Sequence, residues 1–433
     1  MSYDAIENEP VLVETVVTET VVPEVEVLVP EHVVVAEQPP GFVNSIKNTW
    51  GKNLRSYGIV AALALIVLLF QLLTHGRLLQ PDNLAALVMQ NAYVMILAIG
   101  MVAVIVAGHI DLSVGSVVAF IGGVVAIMMN HWGVPFPIAI LAGLVIGALV
   151  GAWQGFWVAY MGIPAFIVTL AGMLIFRGLA IVLVGQTVSP LPFGFNQIGN
   201  GSLPNFLGFL AGRFDAVTLL IGAIAIAGLI YSQIRRRAAL ISHGLDTEPM
   251  TGFILRLLLL SFIIALITWR LSMSTGGSPI ILLVVGALIL AFSFLMSKTR
   301  FGRYIYAVGG NRNAALLSGV DTKRVDFQIF VNMGLLTAVA AIATTARAGA
   351  GVAAAGQNFE LDAIASCFIG GTAVDGGVGT IYGAMIGALI MGVLNMGLSI
   401  LAVDAAWQMA IKGLVLLLAV ALDILSKRRS ALA

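Results

Sequence analysis

Apolar residues in this chain do not alternate with polar ones. They gather in long continuous runs divided by short polar breaks. A run of about 20 apolar residues is the length that carries a helix across a bilayer, and a helix satisfies its own backbone there. Strands of a membrane barrel would alternate instead. The runs predict helices at 57–73, 84–107, 110–129, 137–160, 164–184, 216–232, 253–271, 278–297, 326–346, 360–374, 379–401 and 406–425. The run at 360–374 is short, and both it and 110–129 open with charged residues. Those two are expected to be broken or re-entrant. The fold class that follows is an all-α polytopic membrane protein with about 12 transmembrane segments.

Composition agrees with the pattern. Of 433 residues 60% are hydrophobic and 10% charged, and the mean hydropathy is +1.03. A soluble domain carries about 25% charged residues, so this chain lacks the charge to cover a water-facing surface. Its 48 glycines suit close helix packing in lipid. With only Cys367 there is no internal disulfide and no sign of redox chemistry.

Charge is distributed unevenly. The first 40 residues hold nine acidic side chains, from Asp4 to Glu37, and no Lys or Arg. Residues 1–45 lack the basic start and apolar core of a signal peptide and read as an acidic, disordered cytoplasmic tail. Residues 46–433 form the transmembrane domain. Basic clusters lie at Lys47–Arg55, at Arg235–Arg237, between Lys298 and Arg324, and at Lys427–Arg429. With twelve crossings all four fall on one side, which the Lys/Arg bias of loops makes the cytoplasm. Both termini are then cytoplasmic.

Two connections are long. Residues 185–215, rich in Gly, Pro, Asn and Phe, suggest a structured loop on the outer side. Residues 298–325 are basic and contain "NRNAALLSGV", in which Asn311 is suited to cap a short helix and Gly319 to end it. A capped helix exposed between two spans offers a soluble partner something to grip; an ordinary basic loop is the alternative.

No enzyme chemistry is legible. There is no P-loop motif for ATP, and "GGTAVDGGVGT" at 370–380 has no lysine. The five histidines have no metal-ligand spacing, so no metal or cofactor is expected on this chain. Nothing points to nucleic acid.

Three stretches together resemble one family. They are "GHIDLSVGS" at 108–116 with "GIPAFIVTLAGMLIFRGLA" at 162–180, "TRFGRYIYAVGGNRNAALLSGV" at 299–320, and "FELDAIASCFIGGTAVDGGVGTIYGAMIGALIMGVLNMGLSI" at 359–400. Their order and separation are similar to the permease subunits of bacterial ABC importers for monosaccharides, the xylose type above all. His109, where ribose-like relatives usually have Gly, and the added helix pair around 216–271 mark that branch. The resemblance implies a bacterial plasma-membrane protein, a second copy of this chain, two copies of a separate ATPase that hydrolyses ATP, and an extracytoplasmic sugar-binding protein. It also implies that Gly309, Gly310, Asn311, Ala314, Ala315 and Gly319 form the element that couples to the ATPase. A bulky or charged side chain at Ala315 is then expected to uncouple transport from ATP hydrolysis while leaving membrane insertion intact. Branched-chain amino-acid permeases are more distant alternatives, and a proton-coupled secondary transporter with His109 and Asp111 as relay is a third.

Ionisable groups at membrane depth are costly and face the protein interior. Here they are His109, Asp111, Arg177, Glu360, Asp362, Asp375, Asp404 and Lys412, with Gln90, Asn91, Asn395 and Gln408 as polar neighbours. Asp111 or Ser113 is expected to cap the helix that restarts after Gly108. Glu360 and Asp362 suit the start of the tenth segment by charge. Arg177 needs a partner, with Asp404 or Asp111 the candidates, and Lys412 is expected to snorkel. His109, Asp111, Ser113, Asn91, Glu360 and Asp362 form the candidate translocation pathway or helix break.

Overall fold

The structure is a computed structural model that describes residues 54–245 and 247–432; the acidic stretch 1–45 lies outside them. Sixteen helices in chain order, α1 to α16, make up most of the described residues. Eight are long and apolar enough to cross a membrane: α2 (Pro81–Val106), α4 (Phe136–Ala159), α5 (Ala165–Val184), α8 (Ala216–Ser242), α9 (Met250–Leu271), α10 (Ile280–Lys298), α13 (Thr322–Ala348) and α15 (Ile381–Ile400). Shorter apolar stretches lie in α1 (Leu54–Leu73), α3 (Val114–Asn130) and α16 (Ala405–Leu432). The chain is an all-α, multi-pass membrane protein.

Arginine and alanine are good helix formers, and α8 therefore continues beyond its apolar stretch to Ser242, placing Arg235–Arg237 inside a helix rather than in a loop. α8 and α9 form an antiparallel pair, with Gly222 against Thr268 near one end and Arg237 bonded to the Glu248 carbonyl at the other. Neither buries much of its length, which leaves leucine, isoleucine and phenylalanine facing outward for lipid.

The core is built on α2, α13 and α15. Residues Val94 to Val106 of α2 are buried without interruption. The expected breaks are present. α2 ends at Val106, the chain runs without helix through His109 and Asp111, and α3 begins at Val114. α13 ends at Ala348, residues 349–358 include only the two-residue strand β2 (Gly351–Val352), and α14 (Phe359–Ile369) follows. At 1.5 Å per residue α14 is about 16 Å long, about half the hydrocarbon thickness.

These two broken segments belong to a repeat running in opposite senses. α2 packs on α15 as α13 packs on α4, and α2 and α13 pack on each other. α3 and α14 start side by side, at Gly115 and Gly356, where a Cβ on either glycine would overlap the other's carbonyl oxygen. The repeat leaves a trace in the chain: Phe-Ile-Gly-Gly occurs at 120–123 and again at 368–371, and Gly-x-x-Ile-Gly-Ala-Leu at 143–149 and 383–389. Its glycines let backbones meet, as small residues do between membrane helices. Gly147 and Gly151 lie on Gly334 and Phe330 of α13, and Gly383 and Gly387 on Gly370, just after α14, and on Ser366 within it.

One end of the bundle, the basic end, carries Arg235–Arg237, Lys298 and the short helices α11 (Arg300–Gly310) and α12 (Arg312–Leu317). At the far end the 185–215 connection is structured, as expected. Its strand β1 (Thr187–Val188) pairs antiparallel with β2, and α6 (Phe193–Asn200) and α7 (Gly208–Ala211) follow.

Candidate functional site

Three chain segments meet at the basic end. Gly108 has φ +85, a conformation that favours glycine, and turns the chain out of α2. Gly377 N donates to Val106 O at 2.8 Å, and Gly309 lies so close that a Cβ there would overlap the same carbonyl. Tyr306 of α11 donates to Gly379 O at 2.6 Å, and burial pushes its phenol up, so it stays a donor. The glycine-rich loop 370–380 is thus a backbone seat for α11 and for the end of α2.

α12 follows at once. Asn311 Oδ1 accepts from Ala314 N at 3.0 Å, and Gly319, at φ +82, ends the turn, so both caps stand where the sequence puts them. Asn311, Ala314 and Gly319 are exposed, as is Gly310. Ala315 is buried beneath the helix, and the apolar groups facing outward are Leu316 and Leu317, 59% and 89% exposed. A charge at position 315 would enter the core. Position 317 is the one that tests docking.

Asp326, in the second turn of α13, ties this helix to the break. It is 1% exposed; its Oδ1 lies 3.1 Å from His109 Nε2 and its Oδ2 2.5 Å from Arg312 Nη2. One buried carboxylate therefore joins the segment after Gly108 to the first residue of α12. A cavity of about 550 Å³ opens beside it, bounded by His109, Arg312, Asp326 and the turn at 162–166.

Asp111 has a different task. It is buried and does not pair with His109. Its Oδ1 accepts from Ser113 N at 2.8 Å and Ser113 Oγ at 2.7 Å, and Gln154 of α4 donates to Ser113 Oγ at 2.6 Å. Ser113, one of the two residues expected there, occupies the N-cap position of α3, but its side chain accepts no hydrogen bond from the first turn, which corrects the expected side-chain cap. Asp111 shapes the turn just before it. Both side chains order the break.

The remaining polar residues are largely taken up by protein partners. Arg177 bonds neither Asp404 nor Asp111. It donates to the carbonyls of Ala355 at 2.7 Å and Ala353 at 3.1 Å, in the non-helical stretch before α14, with Glu360 as its electrostatic neighbour. Asp404 instead accepts from Ala406 N at 2.8 Å. Lys412 does not snorkel; it reaches Asp362 at 3.2 Å, and Tyr93 Oη donates to the same carboxylate at 2.8 Å. Glu360 lies against Gly115 at the crossing of the broken segments. Asn91 donates to Leu87 O at 2.9 Å and accepts from Asn395 at 3.0 Å, joining α2 to α15. The structure thus places five of the six candidate pathway residues at the two breaks, and Asn91 apart from them within α2, facing α15. Asp326 and Arg312 were missed as site residues, since the apolar pattern places Asp326 at the edge of a span and Arg312 in a loop.

Comparison with known proteins adds the family. Residues 83–420 match the family model described as branched-chain amino acid transport system / permease component. The xylose transport system permease protein of Escherichia coli K12 is 42% identical over 402 residues, 93% of this chain and 99% of that protein. Its counterpart in Haemophilus influenzae is 40% identical over 383 residues, 87% of this chain and 98% of that one. The ribose import permease protein of E. coli K12 is 34% identical over 342 residues, 79% and 85% of the two chains. No solved structure matches the chain. With that match and this helix count, the chain belongs to the family of membrane-embedded permease components of transport systems.

Proposed function

We propose that this chain is the permease subunit of an ATP-driven importer for a monosaccharide, xylose or a close relative. The observation that carries the reading is the Arg312–Asp326–His109 bridge, which links an exposed, capped helix to a break in the transmembrane core. The names of the relatives, xylose and ribose permeases over most of the chain, support the substrate class.

The basic end faces the cytoplasm, by the Lys/Arg bias of loops. There α12 offers Leu316 and Leu317 to an ATPase, with Gly309, Gly310, Asn311, Ala314, Ala315 and Gly319 shaping the element. A push on α12 is carried by Arg312 to Asp326, hence to α13 and, through His109, to the break before α3. Both halves of the inverted repeat then respond to one stroke. His109 on this reading holds the break and does not bind sugar. A binding protein meets the far end, where β1, β2 and α6 give a structured surface, and two copies of this chain assemble side by side.

The test is reconstitution of this chain with its ATPase and binding protein in sealed vesicles, scoring sugar uptake against ATP and, separately, against a pH gradient. Uptake with ATP alone is expected; uptake driven by the pH gradient alone overturns the proposal in favour of a proton-coupled transporter.

A further inference from the structure

The break residues are bonded to protein, and groups spent on protein partners do not serve a passing solute. Among the described residues, three polar side chains remain around one cavity of about 370 Å³ between α2, α13 and the start of α14. Gln90 is exposed about 13 Å from the start of α2, at 1.5 Å per residue, and its amide has no hydrogen-bond partner among the described residues. Thr344 Oγ1 is buried without a hydrogen-bond partner. Arg347 is half-buried, and its guanidinium has no ion-pair partner among the described residues. The aromatic side of the cavity is Tyr93 and Phe359, stacked with ring centroids 3.6 Å apart.

We infer that this cavity is a transit subsite for a monosaccharide in the half of the membrane away from α12. The inference rests on the importer reading above. An unpartnered amide and hydroxyl at this depth are too costly to face lipid tails, so the surface serves water or a polar solute. A neutral sugar matches both sides of it: its C–H faces lie on aromatic rings and its hydroxyls bond the amide, the hydroxyl and the guanidinium. A volume of 370 Å³ falls in the range of about 300–1,000 Å³ typical of small-ligand sites. Few donors and no carboxylate facing inward make the site weak, as a site that must release its cargo should be. Tyr93 keeps its place because its hydroxyl is bonded to Asp362, which Lys412 holds in turn. The subsite is therefore backed by the break before α14, and movement of α14 would disturb it.

The test compares variants in the complete importer, in vesicles supplied with xylose, and reads sugar delivered per ATP hydrolysed. Gln90→Leu with Thr344→Val is expected to lower that ratio about tenfold, the effect of losing one or two hydrogen bonds. Thr344→Ser keeps the hydroxyl and is expected to hold the wild-type ratio, while Thr344→Val alone lowers it. An unchanged ratio in the double variant, or equal ratios for Thr344→Ser and Thr344→Val, overturns the subsite. If the double variant does not assemble, the serine and valine pair decides. Failure of the wild-type complex to take up any monosaccharide is a separate result, and it overturns the importer reading itself.

Discussion

At the scale of single residues, the break after α2 shows how one carboxylate shapes backbone while another carries force. Asp111 and Asp326 are both buried, at 2% and 1% exposure. Asp111 accepts two bonds on one oxygen from Ser113, and no cation is bonded to it among the described residues. An asparagine amide supplies the same acceptor oxygen. Asp111→Asn is therefore expected to leave ATP-driven uptake within about twofold of wild type, because the turn survives. Asp111→Leu should abolish it. A proton relay through Asp111 would be lost in both variants, so an inactive but well-folded Asn variant overturns the structural role. Asp326 differs because it needs its charge: His109 and Arg312 both converge on it. The sequence made His109 and Asp111 look like a pair because they are neighbours, but His109 reaches Asp326 on α13 while Asp111 is taken up by Ser113.

Single elements obey the same logic of contact. α12 has six residues, too few to be stable alone, and it depends on the Asn311 cap, on Ala315 packed beneath it and on the glycine seat below α11. Leu317→Glu is expected to leave the permease folded and cut ATP-dependent uptake at least about tenfold, since charge at the centre of an apolar contact costs about 1.4 kcal/mol or more. Ala315→Glu should instead lower the yield of folded protein, because its carboxylate would be buried. If Leu317→Glu transports normally, α12 is not the docking element. The crossing of α3 and α14 makes a matching demand. Gly115→Val has no room against the Gly356 carbonyl and is expected to prevent recovery of monodisperse protein by size exclusion. Gly178→Val and Gly286→Val, where a Cβ meets nothing within 4 Å, should behave as wild type.

For the whole molecule, the inverted repeat explains why two non-helical stretches are tolerated in lipid. Each is enclosed by helices of both halves, and Arg177 satisfies carbonyls that helix geometry leaves unpaired. Orientation belongs to this scale too. A cysteine at Leu317 should react with a membrane-impermeant maleimide only in inside-out vesicles. One at Phe193, 78% exposed at the far end, should react only in right-side-out ones. The reverse pattern overturns the cytoplasmic placement of the basic end. Cys367 is fully buried and should not interfere.

The helices were legible in the chain because lipid imposes a simple filter: a run of apolar residues of bilayer length has one stable backbone form. The same filter marked 110–129 and 360–374 as irregular, since charge at the start of a span is costly. The caps of α12 were legible too, because Asn311 and Gly319 act on backbone within a few residues of themselves. The short repeats at 120–123 and 368–371 were also present but easily passed over, being four residues among many similar glycine motifs. Only the tertiary structure decided the partners. Asp326 lies 217 residues from His109, Lys412 lies 50 from Asp362, and Arg177 finds backbone carbonyls that have no signature in side-chain sequence. A buried charge advertises its need for a partner locally, but which group meets it depends on how distant helices pack.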